Sequence, residues 1–138
     1  MVKLLVGNKG AGKTKALIKM AKEANEASKG VVVFVTTKDK HMLEFPHEVR
    51  YVNALTYKLE TLPGIEGFVK GLLAGNYDIE KIFVDRLYTL IQMDDELLER
   101  IVKDLDGISE RNNVDFYLTM SKDPATLPES LKEYQLAF

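Results

Sequence analysis

The sequence predicts an α/β fold, a three-layer αβα sandwich around a mainly parallel sheet of about five strands. Short apolar runs of strand length alternate along the chain with amphipathic stretches of helical period, and strands linked through helices form parallel sheets. Five apolar residues stand together at 31–35, which is typical of a parallel strand covered by helices on both faces. A glycine-rich segment, 7–14, joins the first apolar run to the first amphipathic stretch.

Length and composition indicate an ordinary globular protein. The 138 residues, 46% of them hydrophobic and 29% charged, are expected to form a single domain over 1–138, because no repeat or linker divides them. Cysteine is absent, which excludes disulfides, thiolate zinc sites and cysteine nucleophiles. The net charge of −2 does not indicate a nucleic-acid partner. No segment resembles a signal peptide or a membrane span, so we expect a cytoplasmic protein with no membrane partner.

The glycine-rich segment has the pattern G-x-x-x-x-G-K-T. It consists of Gly7, Asn8, Lys9, Gly10, Ala11, Gly12, Lys13 and Thr14. Its glycines allow successive backbone N–H groups to turn inward around a β-phosphate. Lys13 adds a positive charge for the β- and γ-phosphates, and the Thr14 hydroxyl can bind Mg²⁺. The segment therefore predicts a site for a nucleoside triphosphate.

The motif indicates a phosphate-binding loop only when it joins a strand to a helix, and the sequence predicts both of these elements. The apolar run 2–6 precedes it, and a helix is predicted over 14–28, with its positive end toward the bound anion. In the middle of the chain, the sequence predicts a loop over 39–48, a weak strand over 49–55, a helix start near Thr56 and a short helix over 65–74. A strand over 79–85 and a long helix follow, and Asp94-Asp95 caps this helix while Asn112-Asn113 ends it. The last predicted elements are a strand over 114–121 and a helical stretch over 128–136.

The ends of the predicted strands carry the polar residues. In open parallel sheets, ligands bind at the carboxyl ends of the strands. The phosphate loop, residues 36–40, Asp85 and residues 119–122 all follow strands, so we expect them to face one crevice. Thr119 and Ser121 are candidates to sense a γ-phosphate there.

Asp85 matches the Walker B position, a carboxylate that ends a buried strand beside the phosphate loop. From there it would orient water around Mg²⁺, so Thr14 and Asp85 are the predicted metal residues. Rapid ATP hydrolysis usually needs a further carboxylate, often in the next position, but this chain has Arg86 there. Arg86 is either a charge stabiliser in cis or an ion-pair partner of Asp85.

Other residues are candidates for the missing carboxylate. Asp39, which follows the second strand, is the preferred carboxylate, and Glu44 and Glu48 are the alternatives to it. The predicted catalytic residues are therefore Asp39 and Lys13, whose charge neutralises the phosphates. His41 and His47 are expected to be loop histidines rather than metal ligands, because no further ligand cluster accompanies them.

With these motifs in place, the chain resembles the P-loop NTPases, in particular those with a compact RecA-like core, over nearly its whole length. It is similar to small bacterial ATP-binding proteins of about this length. Its core also resembles that of the zinc-containing thymidine kinases, although those have a glutamate where Arg86 stands and a cysteine-bound zinc. The resemblance implies a P-loop NTPase fold with ATP and Mg²⁺ as cofactors. Adenine is preferred by elimination, since no guanine-reading Asn/Thr-Lys-x-Asp motif is present.

Three functions follow from this interpretation. The first is a slow ATPase or nucleotide switch whose loops 37–48 and 86–94 order around the γ-phosphate. The second is a phosphotransferase whose small, nucleoside-type substrate enters between the strand ends and residues 56–75. The third is a non-catalytic module whose nucleotide stabilises a homo-oligomer or a protein partner's interface.

Overall fold

The computed structural model describes the whole chain, residues 1–138, and contains one five-stranded sheet with every neighbouring pair parallel. The strands are β1 (Val2–Gly7), β2 (Val31–Thr36), β3 (Arg50–Asn53), β4 (Ile79–Val84) and β5 (Asp115–Ser121). The helices are α1 (Lys13–Ala27), α2 (Leu62–Gly75) and α3 (Asp95–Asn112). The order across the sheet is β1-β5-β4-β2-β3, so β1 and β3 are the outer strands.

Helices cover both faces of the sheet, which confirms the predicted three-layer α/β architecture. Alternate residues of a strand point to opposite faces. On β2, Val33 and Val35 pack into the core beneath α2 and α3, whereas Val32 and Phe34 pack into the core beneath α1. Burial on both faces explains why this strand contains no polar residue over 31–35.

The long helix α3 begins and ends at the predicted signals. Asp94 caps α3, where its Oδ1 accepts a hydrogen bond from the backbone N–H of Leu97 at 2.8 Å. Asn113 ends α3 in the left-handed conformation, with φ 53°, which asparagine tolerates better than most residues. None of the helices combines the length and the apolar composition that crossing a membrane requires.

Replacing Asp94 with alanine is expected to lower the free energy of unfolding by about 1 kcal/mol, because a backbone N–H in the first turn of α3 loses its partner. Urea unfolding followed by circular dichroism measures this difference. Asp94→Ser is the matched control, since serine is also a strong N-cap and should retain most of the stability. Equal unfolding midpoints for the alanine variant and the wild type would show that the cap contributes nothing.

Residues 54–65 differ from the prediction. The helix expected from Thr56 is a single 3₁₀ turn, Ala54–Tyr57. Lys58 ends it with φ 51°. α2 then begins at Leu62, three residues before the predicted start, because the Thr61 side chain accepts a hydrogen bond from Gly64 N–H at 3.1 Å. Pro63 also favours this start, since its fixed φ suits a first helical turn.

The helical stretch expected over 128–136 is instead a 3₁₀ segment, Glu129–Tyr134, followed by extended chain. Leu131 is buried in the core beneath α3. Gln135 then pairs with Leu4 in a parallel bridge, and Leu136 N–H donates to the Leu4 carbonyl at 2.8 Å. The free edge of β1 thus provides backbone partners that a regular helix through residue 136 would not reach. We call residues 129–138 the edge segment.

Candidate functional site

The phosphate-loop motif forms the connection between β1 and α1. Gly10 and Gly12 have φ values of 87° and 88°, a region that residues with a Cβ rarely adopt. The Ala11 N–H donates to the Asn8 carbonyl at 3.0 Å, which closes a tight turn inside the loop. A helix follows directly, so the loop has the strand–loop–helix context that a phosphate cradle requires.

Lys13, the first residue of α1, is only 6% exposed. Its Nζ donates to the Asn8 carbonyl at 3.0 Å, so the ammonium lies against the loop. Burial lowers the pKa of Lys13; the Asp85 carboxylate opposes this change, and the Arg86 cation adds to it. A cation that has lost much of its hydration gains most from an anion placed beside it.

Asp85 is 1% exposed and lies directly after β4. Its carboxylate accepts hydrogen bonds from the Thr14 hydroxyl at 3.0 and 3.1 Å and from the Thr119 hydroxyl at 2.7 Å. These contacts join the start of α1 to the ends of β4 and β5. The structure therefore brings together Thr14 and Asp85, the two residues predicted to hold a metal ion.

Arg86 has an unusual backbone conformation that Thr119 supports. Its φ is 65°, and its N–H donates to the Thr119 hydroxyl at 3.0 Å. Arg86 forms no ion pair with Asp85, and its Nε is buried without a hydrogen-bond partner. Of the two predicted roles of Arg86, the contacts therefore do not support the ion-pair role. They leave a buried donor available to a ligand.

A cleft of about 310 Å³ opens beside Asp85, between α1, the end of β2 and the segment that follows β2. Four cationic side chains line it: Lys15, Lys38, Lys40 and Arg86. Asp85 and Glu44 are the only acids in its lining, and no residue of 56–75 contributes. The cleft thus opens beside residues 36–44 and not beside residues 56–75, where a second substrate was expected to enter.

Asp39 does not line this cleft. Its carboxylate accepts a hydrogen bond from the Asn53 side-chain amide at 2.9 Å on the exposed side of β3. Glu44 lines the cleft and is hydrogen-bonded to the His41 ring. Glu48 is exposed and does not line the cleft. The hydrogen bond from His41 lowers the pKa of the Glu44 carboxyl.

The sequence placed Thr36 in the predicted crevice only as part of residues 36–40 and indicated no role for its side chain. Thr36 is 1% exposed, lines the cleft, and its hydroxyl is buried with no hydrogen-bond partner. A signal was present, since Thr36 is the first polar residue after the apolar run of β2. Of the two hydroxyl residues proposed on β5, Thr119 contacts Asp85, whereas Ser121 lies opposite Gly7 in the strand register.

The fold is similar to that of the flagellar accessory protein FlaH from Methanocaldococcus jannaschii, with a TM-score of 0.53 and 17% sequence identity. The match covers 94% of this chain and 63% of the FlaH chain, so this chain spans less than two thirds of that protein's length. Identity this low shows the fold alone, and the match supports the predicted α/β fold with a parallel five-stranded sheet. No protein-family model matches the sequence, and the comparison with curated proteins found no significant match. The resemblances to bacterial ATP-binding proteins and to thymidine kinases stay predictions.

Proposed function

We propose that this chain binds ATP together with Mg²⁺ at the ends of β1, β4 and β5, and hydrolyses the nucleotide slowly. The main support is Asp85, a buried carboxylate held by hydroxyl groups from the phosphate-loop helix and from β5. Burying a carboxylate is unfavourable unless its hydrogen bonds or a cation compensate for the lost water. A phosphate loop and a buried carboxylate in contact are the two parts that a Mg²⁺-nucleotide site needs.

The donor set fits magnesium. Mg²⁺ prefers oxygen ligands and keeps several water molecules, and Thr14 and Asp85 present a hydroxyl and a carboxylate 3.0 to 3.1 Å apart. These two residues would hold the ion, which would neutralise part of the negative charge of the phosphates. Thr119 orients Asp85 by its 2.7 Å hydrogen bond, because that bond fixes one carboxylate oxygen.

Two buried polar atoms without partners, Thr36 Oγ1 and Arg86 Nε, belong to residues that line the cleft beside Asp85. Unpaired buried polar groups are costly, so such atoms often mark places where a ligand or water completes the hydrogen bonding. We assign Arg86 to the γ-phosphate, since a guanidinium donates several hydrogen bonds to phosphate oxygens. Thr36 can hold a water molecule or a phosphate oxygen in the same region.

Slow hydrolysis follows from the acids that surround the cleft. Glu44 is the only lining acid apart from Asp85, and a lowered pKa makes its carboxylate a weaker proton acceptor. Asp39, the acid preferred from sequence, is hydrogen-bonded to Asn53. Asp39 does not line the cleft, so it would have to move to reach an attacking water there. Binding is therefore better supported than rapid turnover.

Calorimetric titration with Mg·ATP and Mg·ADP, together with a phosphate-release assay, tests this proposal. We expect saturable binding of Mg·ATP, tighter than binding of Mg·ADP, and turnover well below the roughly 10 s⁻¹ of a median enzyme. Arg86→Ala should reduce the preference for ATP over ADP about fivefold, through loss of a charge-assisted contact to the γ-phosphate. Arg50→Ala, at an exposed arginine on β3, is the matched control. Absence of binding at millimolar Mg·ATP would overturn the proposal.

The cleft favours a second candidate, a phosphotransferase, because its cationic lining extends beyond Asp85 to Lys38 and Lys40. A small phosphoryl acceptor could occupy that part of the cleft next to the γ-phosphate. Acceptor-stimulated release of ADP would support transfer over hydrolysis. Nucleotide-dependent changes in molecular mass without turnover would instead support the third hypothesis, an interaction module with a homo-oligomeric or protein partner.

A further inference from the structure

The edge segment brings an aromatic side chain to the phosphate loop. After Leu131 packs beneath α3, the segment runs along the free edge of β1, and Leu136 packs into the core beneath α1. Phe138 then lies against the start of the loop. A Cβ built on Gly7 would be 3.4 Å from the Cζ atom of the Phe138 ring. Phe138 nevertheless remains 50% exposed, so part of the ring is open to a ligand.

The orientation of the triphosphate follows from the strand order. Asp85 lies at the end of β4, which is separated from β1 by β5, and the cleft continues from there toward β2. With the γ-phosphate beside Asp85 and Arg86, as in the proposed function, the γ end of the triphosphate points toward β4 and β2. The α-phosphate and the nucleoside then point the opposite way, toward the outer edge of β1. That edge is where the edge segment runs.

We propose that Phe138 forms a stacking platform for the nucleobase of the bound nucleotide. This inference rests on the proposed nucleotide site. An aromatic ring stacks on any base, because every base has a π-face, whereas selecting adenine requires hydrogen bonds to its edge. Phe138 offers only its ring. The platform should therefore strengthen binding of ATP and of other nucleoside triphosphates to a similar extent.

The alternative role for Phe138 is packing, in which the ring only holds the edge segment against Gly7. The two roles differ in what they predict for a ligand without a base. Inorganic tripolyphosphate carries the three phosphates but no nucleoside. A packing role would affect the phosphate loop and thus both ligands, whereas a stacking role affects ATP alone.

The test compares the affinities of Mg·ATP and Mg·tripolyphosphate in the wild type, Phe138→Ala and Phe138→Leu. We expect both variants to lose about fivefold or more in affinity for ATP, and less than about twofold for tripolyphosphate. Phe138→Leu keeps an apolar side chain for the edge segment, and a thermal melt of each variant verifies folding. Phe138→Tyr should bind ATP about as tightly as the wild type, because the aromatic ring is retained. Tyr77→Ala is the matched control, at an aromatic residue that is 93% exposed in the turn before β4.

Each outcome of this test decides between the proposals. Equal loss for both ligands, or loss for neither, would overturn the platform while leaving the nucleotide site in place. Failure of the wild type to bind either ligand would overturn the proposed function itself.

Discussion

Replacing Lys13 with alanine is expected to weaken binding of Mg·ATP by about tenfold to a hundredfold, which corresponds to roughly 1.4 to 2.7 kcal/mol. The physical reason is the position of the ammonium. It is 6% exposed and lies against the loop, so it already lacks much of its hydration before an anion arrives. A phosphate beside it restores favourable interactions for the charge, and alanine cannot supply them. Isothermal titration calorimetry measures the change directly.

A second measurement separates binding from folding. Burial of the Lys13 ammonium is unfavourable without a ligand, so Lys13→Ala should melt at a temperature no lower than that of the wild type. Lys19→Ala is the matched control, because Lys19 lies in the same helix with its side chain 77% exposed. Unchanged ATP affinity in Lys13→Ala, or the same loss in Lys19→Ala, would contradict the assigned role.

Asp85→Asn is expected to weaken ATP binding about tenfold to a hundredfold when Mg²⁺ is present, a loss typical of residues that orient a bound metal. Asparagine has nearly the same shape, but it lacks the charge that favours the ion. Its amide also places an NH₂ donor where the carboxylate has a second acceptor oxygen, so the Thr14 hydroxyl loses one of the two oxygens to which it donates. Calorimetric titrations with excess Mg²⁺ and with a chelator measure the affinity for ATP with and without the ion.

The metal dependence is the decisive part of that prediction. Without Mg²⁺, affinity for ATP should change little or increase, because the substitution removes a negative charge close to the phosphates. Asp78→Asn, at an exposed aspartate before β4, is the matched control. A similar loss with and without the ion would mean that Asp85 supports the fold of the site rather than the metal.

Much of the fold could be predicted from signals between residues that are close together in the sequence. The alternation of strands and helices follows from hydrophobic period, and the start of α3 follows from Asp94, whose hydrogen bond reaches only to Leu97. The phosphate loop is likewise a local feature, set by the glycines at positions 10 and 12. Such signals depend on a few adjacent residues, so they can be interpreted without knowing where distant parts of the chain lie.

Contacts across the sheet could not be predicted in this way. Thr119 follows Asp85 by 34 positions, and their contact depends on β4 and β5 being neighbours in the correct register. The sequence contains no local signal for the strand order, which also determines that Phe138 lies near Gly7. Asp39 illustrates the same point. Its place after β2 was predicted, but its hydrogen bond to Asn53 depends on β3 pairing with β2.

By itself, then, the sequence determined the α/β class, the phosphate loop and the acid at the end of β4, because each depends on local composition and period. Only the tertiary structure decided which side chains meet that acid, which buried donors remain without partners, and which residues line the cleft. The physical reason is that hydrogen bonds act over about 3 Å, whereas the groups they join here lie tens of residues apart in the chain. Packing of the strands and helices sets those distances.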